Sequence, residues 1–271
     1  SRGLGDVYKR QLMVLCAVAI MISTCLTGCK MNSGKIRFGS AGIGGTYQIF
    51  GDTFANLISS KSKKYNIEVK TTAGSAANLR LLSKDYIQMA VAQMDLINDA
   101  YNRTGIFEND KKYQGYRAVA SLYTEACQIV VPADSDIQSM DDLEGKKVCI
   151  GEEESGTEQN ALQILNAYGL NKRLVDTVNL NYTDAAKKLK SGDIDAFFCT
   201  AGVQTTVINE LSKQCKIRLV SLDQKGISRL KKSYKFYTEY TIPAGTYVNQ
   251  TKEIKTVGAV SYTHLRAHET R

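Results

Sequence analysis

Histidine is nearly missing from this 271-residue sequence, which contains only His264 and His268, both near its C-terminal end. The body of the chain therefore cannot assemble a Ser-His-Asp or a Cys-His catalytic arrangement. Apart from Glu152-Glu153-Glu154 there is no acidic cluster, so a carboxylate pair for glycoside chemistry is not indicated either. These absences favour binding without catalysis, and an exported hydrolase remains only as an alternative.

A concentrated basic stripe is also missing, although the formal net charge is +8 at pH 7. The basic residues form short pairs such as Lys63-Lys64, Lys187-Lys188 and Lys231-Lys232, without aromatic residues between them. Nucleic-acid binding needs basic residues that are more concentrated than these pairs. We therefore predict no nucleic-acid partner.

The cysteines do not form a metal or redox motif, because none of them belongs to a CxxC pair and no histidine lies nearby. We predict no metal and no cofactor. Three of the four cysteines in the body lie in apolar runs and are expected to be small buried hydrophobic residues. The sequence does not decide whether any pair forms a disulfide. The four are Cys127, Cys149, Cys199 and Cys215.

The two ends of the chain do not continue the hydrophobic pattern of the middle. Segments 1–11 and 260–271 resemble peptides translated from sequencing-adapter DNA, so we exclude them from fold prediction. Genuine disordered tails are the alternative interpretation. If 260–271 is an artefact, it replaces the natural C-terminal part of the fold, which is then truncated.

Segment 12–29 has the features of a lipoprotein signal peptide. Leu12–Gly28 is apolar almost throughout, and Leu26-Thr27-Gly28-Cys29 resembles a bacterial lipobox. Cys29 would then carry the lipid, which anchors an extracytoplasmic protein to the bacterial cell membrane. An N-terminal transmembrane anchor is the alternative.

The body alternates short β-branched runs with helical patterns, which indicates an α/β fold. We predict a first lobe over 30–122 and a second over 123–233, with an irregular segment, 234–259, that returns toward the first lobe. Predicted strands over Arg117–Leu122 and Ala126–Pro132 join the two lobes. No low-complexity linker separates them, which suits a hinge.

Glycine-rich turns precede three of the predicted helices, at Gly44-Gly45-Thr46, Gly74-Ser75 and Ser155-Gly156-Thr157. The first turn has neither the lysine of a phosphate-binding P-loop nor the third glycine of a dinucleotide fingerprint. Helix starts nevertheless offer unpaired backbone N–H groups at the positive end of a dipole, which suit a carboxylate. Simple helix capping by Thr46, Ser75, Ser155 or Thr157 is the alternative.

Several blocks of the sequence resemble one family of transport proteins. In order, they include GGTYQIFGDTFANLI, TTAGSAANLRLL, AVAQMDLINDAYN, DLEGKKVCIGEEESGTEQNALQIL and FYTEYTIPAGTY, within Lys35 to Gly258. They resemble TAXI-type receptors, the extracytoplasmic solute-binding proteins of TRAP transporters. The resemblance implies a two-lobed periplasmic-binding-protein fold of type II, with a hinge.

The same resemblance implies a function without enzymatic activity. The receptor would bind a small carboxylate, such as a glutamate-like amino acid or a dicarboxylate, and deliver it to TRAP permease subunits driven by an ion gradient. A binding lipoprotein of an ABC importer or a sensor is the alternative. The implied ligand-binding residues are Gly45, Thr46, Tyr47, Gly74, Ser75, Asn78, Gln93, Ser155, Gly156, Thr157, Ala201 and Gly202.

Overall fold

The computed structural model describes residues 34–111, 113 and 115–266, with side chains up to residue 259. The predicted signal segment 12–29, with the proposed lipid site at Cys29, lies outside the described residues. Within the described ranges, none of the helices combines the length and the apolar character that crossing a membrane requires.

The described residues form ten β-strands and seven α-helices that mostly alternate along the chain. The helices are α1 (Thr46–Lys61), α2 (Ser75–Ser83), α3 (Met94–Asn102), α4 (Gly156–Ala167), α5 (Tyr182–Ser191), α6 (Thr206–Gln214) and α7 (Gln224–Ser233). The strands are β1 (Gly34–Gly39), β2 (Tyr65–Lys70), β3 (Met89–Gln93), β4 (Tyr116–Pro132), β5 (Lys147–Cys149), β6 (Asp176–Val178), β7 (Ala196–Ala201), β8 (Ile217–Leu219), β9 (Thr238–Ile242) and β10 (Ile254–Arg266).

The sheet order shows two α/β units joined by two long strands. The main path runs β2-β1-β3-β10-β4-β7-β5-β6. On one side, β2, β1 and β3 are parallel, and on the other, β7, β5 and β6 are parallel. Between them, β10 and β4 pair with each other and with their outer neighbours in antiparallel fashion. This arrangement confirms the predicted α/β fold with two lobes connected by strands.

Strand β4 differs from its prediction, because the two expected strands are one strand of 17 residues. Its first part is mainly exposed and its later part is buried. The residue pattern therefore changes within the strand, and the sequence resembles two separate strands. The intervening Tyr123 and Thr124 favour extended backbone, so no turn forms there. The predicted lobe boundary at 122/123 therefore falls inside a continuous strand.

Segment 234–259 is more regular than expected, and it packs in the second lobe. It contributes β9 and the start of β10, which form an antiparallel pair. Tyr237 and Val257 are buried in the same cluster as Ile164 of α4, so the segment belongs to the core of the second lobe. The chain reaches β3 only from Ser261 to Leu265. Residues 260–266 thus continue β10, and their origin as an adapter artefact stays a prediction.

Aromatic packing fixes α1 on the first lobe. Phe50 and Phe54 are four positions apart on one helix face, with stacked rings 5.9 Å between centroids. Both rings contact Phe38 of β1, which is fully buried. This packing holds the N-terminus of α1 at the end of β1, where the loop that carries Gly45 begins.

Candidate ligand-binding site

A cavity lies between the two lobes, where loops follow the carboxyl ends of β1, β2, β3, β5, β6 and β7. Strands that run parallel end at one edge of a sheet, so loops distant in sequence meet there. The cavity volume is about 40 Å³, which is room for about three water molecules. The lining residues are Ala41, Gly42, Gly45, Thr46, Tyr47, Ala73, Gly74, Ser75, Gln93, Glu125, Glu152, Ser155, Gly156, Thr157, Leu180, Asn181, Tyr182, Thr200 and Ala201.

The N-terminus of α1 forms one wall of the cavity. Gly45 is its N-cap residue, and no side chain caps the helix. The preceding Gly44 has a φ of 89°, a conformation that favours glycine. A Cβ atom at Gly45 would lie 3.3 Å from the ring of Tyr182, so the two lobes approach closely here. The absence of a side-chain cap leaves the first turn of α1 open toward the cavity.

The N-terminus of α4 forms the opposite wall. The Oγ of Ser155 accepts a hydrogen bond of 3.0 Å from the backbone N–H of Glu158, so Ser155 caps the helix. Gly156 follows, and a Cβ atom there would lie only 2.0 Å from Oε1 of Gln93. Glycine at this position therefore allows the first turn of α4 to meet the side chain of Gln93 from the other lobe.

The N-terminus of α2 is already occupied by protein. The backbone N–H groups of Ala76 and Ala77 donate to the carbonyl oxygen of Glu154, at 3.1 and 3.2 Å. The carboxyl group of Glu154 also forms an ion pair of 2.9 Å with Nε of Arg80. Since Glu154 belongs to the second lobe, these contacts hold the lobes together. The starts of all three predicted helices line the cavity, and that of α2 also bonds to the second lobe through the N–H groups of Ala76 and Ala77.

Glu125 is a buried acidic residue of the cavity that the sequence analysis missed. Its side chain is 1% exposed. Its carboxyl oxygens accept hydrogen bonds from Nε2 of Gln93 at 2.6 Å and from the hydroxyl groups of Tyr47 and Tyr123, both at 3.3 Å. The signal in the sequence was an acidic residue within the apolar run after Tyr123. Glu125 thus adds a carboxyl group to a site predicted from uncharged residues.

Hydroxyl groups of the second lobe mainly stabilise the site itself. The hydroxyl group of Tyr182 donates to the carbonyl oxygen of Thr200 at 2.9 Å. The Oγ1 of Thr157 lies 2.5 Å from the same hydroxyl group and must be the donor in that bond, because the proton of Tyr182 is already used. Burial, more than any neighbouring charge, raises the pKa of Tyr182 well above its usual range. Tyr182 is therefore a neutral, fixed wall of the cavity.

The ionisable side chains along the cavity are acidic or phenolic. Glu125 and Glu152 line it, and no lysine or arginine is among its described lining residues. Burial raises the pKa of Glu152, and repulsion from Asp184 raises it further. The backbone N–H groups at the starts of α1 and α4 provide positive partial charge to the same cavity.

The structure brings most of the predicted site residues together but leaves two outside the cavity lining. Asn78 is buried beneath the site, and its Nδ2 donates to the carbonyl oxygens of Ser40 and Val91 at 2.7 and 2.8 Å. It therefore ties the loop after β1 to strand β3 instead of facing the cavity. Gly202 lies beside Tyr123, one residue beyond the lining residue Ala201. The other ten predicted residues line the cavity, and their contact with a ligand stays a prediction.

The four cysteines of the body are free thiols in the structure. Burial raises the pKa of Cys127 to about 12, which keeps it protonated and unreactive. The described residues contain no group of three or more histidine, cysteine or acidic side chains placed to hold a metal ion.

Two lobes, a pair of connecting strands and a cavity at the strand ends define the architecture of the periplasmic binding proteins. Residues 38–269 match the NMT1-like family, and the chain belongs to that family. Solved structures of similar fold include a periplasmic sulphonate-binding protein and an arginine-binding protein. The narrower assignment to TAXI receptors stays a prediction.

Three solved structures illustrate the similarity of fold. The periplasmic aliphatic sulphonate binding protein SsuA from Escherichia coli is 16% identical, with a TM-score of 0.50 over 86% of this chain. An ancestral arginine-binding protein bound to arginine is 17% identical, with a TM-score of 0.52 over 88% of this chain and 86% of its own. A putative L-cystine ABC transporter from Listeria monocytogenes is 16% identical, with a TM-score of 0.50 over 88% of this chain and 84% of its own. The present chain spans 65% of the length of SsuA.

Proposed function

We propose that this protein is an extracytoplasmic receptor that encloses a small solute between its lobes and delivers it to a membrane transporter. The observation that carries the proposal is the cavity onto which the first turns of α1 and α4 open from opposite lobes. The first N–H groups of a helix have no partner within the helix and lie at the positive end of its dipole. They suit the carboxylate of a glutamate-like amino acid or a dicarboxylate.

The transporter that we propose as partner is a TRAP-type permease driven by an ion gradient. The support for it is the sequence resemblance to TAXI receptors. An ABC importer or a sensor is the alternative partner, because one structure of similar fold is a putative L-cystine ABC transporter. The neighbouring genes distinguish the two: a large multi-span permease supports the TRAP partner, whereas an ATPase with a permease supports the importer. Lipid attachment at Cys29 would hold the receptor at the membrane.

Thermal unfolding of the purified full chain tests solute binding. The panel contains L-glutamate, L-glutamine, L-alanine and dicarboxylates of four and five carbons. A true ligand at 100 times its dissociation constant stabilises the native state by about 2.7 kcal/mol, with saturation. Stabilisation by a neutral sugar alone would contradict a site built for carboxylates.

Two leucine substitutions on α1 link that binding to the cavity. Gly45→Leu places a side chain against Tyr182 and fills the cavity, so we expect the thermal stabilisation by solute to disappear. Ser59→Leu adds the same side chain at an exposed position of the same helix and should bind normally. Equal solute stabilisation of both variants would remove the α1 loop from the site.

A further inference from the structure

The N-terminus of α2 receives its cap from the opposite lobe. Its N-cap residue is Gly74, which has no side chain, and no side-chain hydrogen bond caps this helix. A capping side chain normally accepts a hydrogen bond from the second or third N–H group of a helix. In α2 those groups belong to Ala76 and Ala77, and both donate to the carbonyl oxygen of Glu154. A backbone atom of the second lobe therefore takes the place of a local cap.

The backbone of Glu154 has an unusual conformation that directs this carbonyl oxygen. Its φ is 63°, in the left-handed region, which a residue with a Cβ atom rarely adopts. Such a conformation persists where surrounding contacts hold it. The N–H of Glu154 donates to Oε2 of Glu158 at 2.9 Å, and the N–H of Ser155 donates to the carbonyl oxygen of Glu152 at 3.1 Å. Both contacts lie within the second lobe, so neither depends on contact with the first.

The side chain of Glu154 adds a charge contact across the same interface. Its Oε1 lies 2.9 Å from Nε of Arg80 on α2, although this nitrogen makes no hydrogen bond among the described residues. Arg80 also pairs with Asp110, and its guanidinium group lies 4.8 Å from the centre of the Phe107 ring. The first lobe therefore holds Arg80 in place. Partly exposed ion pairs stabilise little, so the carbonyl oxygen of Glu154 makes the more important contact.

We propose that Glu154 is a latch that closes the lobes in part of the molecules before a solute binds. Its contacts with α2 include no atom of a solute, and each side of the contact is formed within its own lobe. The effect on solute affinity rests on the proposed function. A receptor whose binding-competent form is already populated binds every solute more tightly by the same factor. The latch therefore raises affinity without selecting among solutes.

Two substitutions of Glu154 separate its carbonyl oxygen from its side chain. Glycine adopts a positive φ readily, so Glu154→Gly should keep the carbonyl contact and lose only the carboxylate. A β-branched residue is strongly disfavoured at this φ, so Glu154→Val should turn the carbonyl oxygen away from α2.

Amide hydrogen exchange of the solute-free full chain measures the latch. The loss of two hydrogen bonds predicts exchange about 10-fold faster or more at Ala76 and Ala77 in Glu154→Val than in wild type or Glu154→Gly. The N–H of Asn78 donates to the carbonyl oxygen of Gly74 within the first lobe, so its exchange should be equal in all three proteins. In calorimetry, Glu154→Val should weaken the binding of every bound solute by about the same factor.

The outcomes separate the latch from the proposed function. Exchange at Ala76 and Ala77 in the solute-free wild type as fast as in an unfolded chain overturns the latch and leaves the receptor intact. Equal protection in wild type and Glu154→Val also overturns it. Protection lost only in Glu154→Val, with no solute of the panel bound, supports the latch and overturns the proposed function. Should Glu154→Val show no cooperative unfolding transition, Glu154→Gly decides: retained protection supports the carbonyl contact, and lost protection overturns it.

Discussion

Asp95 gives the structure a pH dependence that can be measured. It lies in the first turn of α3 and is 1% exposed. Its Oδ2 accepts a hydrogen bond of 3.1 Å from Nδ2 of Asn160, which lies on α4 in the second lobe. Its Oδ1 and the Oδ1 of Asn160 are buried without partners among the described residues. Two unpaired acceptors at one contact indicate that a proton would be stabilising there.

Burial raises the pKa of Asp95 from its ordinary 3.8 to about 6. Hydrogen bonds from Leu96 and Asn160 lower this pKa, but burial has the larger effect. The folded protein therefore binds this proton more tightly than the unfolded chain does. The resulting stabilisation is complete below about pH 4 and is lost as the pH rises toward about 6. A pKa difference of this size corresponds to about 3 kcal/mol in the free energy of unfolding.

Asp95→Asn removes the titration and provides a neutral donor at the same place. Denaturant unfolding between pH 4 and 8 should show that this variant gains about 2.5 kcal/mol relative to wild type over that range, mostly before pH 7. Asp52→Asn, at an exposed position of α1, serves as the control and should follow the wild-type curve. Parallel curves for wild type and Asp95→Asn would refute the assignment of a raised pKa to this buried carboxyl group.

Two further substitutions separate residues that face the cavity from residues that support it. Gly156→Ala should weaken solute binding about 10-fold or more in calorimetry, because its Cβ would displace Oε1 of Gln93, now 2.0 Å from that position; unchanged affinity would contradict the close approach. Asn78→Ala leaves buried carbonyl oxygens unpaired and should reduce the free energy of unfolding by about 2–3 kcal/mol in denaturant titration. Normal stability with abolished binding would instead make Asn78 a direct ligand residue.

Much of the site was predictable because it is built from local signals. A glycine-rich turn between a strand and a helix marks a strand end, and strand ends of parallel sheets converge. This is why GGT near Gly45 and SGT near Gly156 meet at one cavity although they are far apart in sequence. The hydrophobic periods likewise predicted the alternation of strands and helices.

The remaining features depend on contacts between distant segments. The N-terminus of α2 looks like an open anion site in the sequence, but the carbonyl oxygen of Glu154 comes from the other lobe to occupy it. Glu125 was hidden because β4 was interpreted as two strands, so a central position looked like a connecting loop. Strand β10 was missed because its extended structure depends on pairing with both β3 and β4, which are distant in the sequence.

The central claim is that a solute closes the two lobes around itself, and amide hydrogen exchange at Ala76 and Ala77 tests it most directly. Both amides donate across the cleft to Glu154, so their protection reports closure. We predict that the solute with the greatest thermal stabilisation slows exchange at these two amides, and that Gly45→Leu abolishes the effect. Saturable solute binding with unchanged exchange at Ala76 and Ala77 would contradict the account.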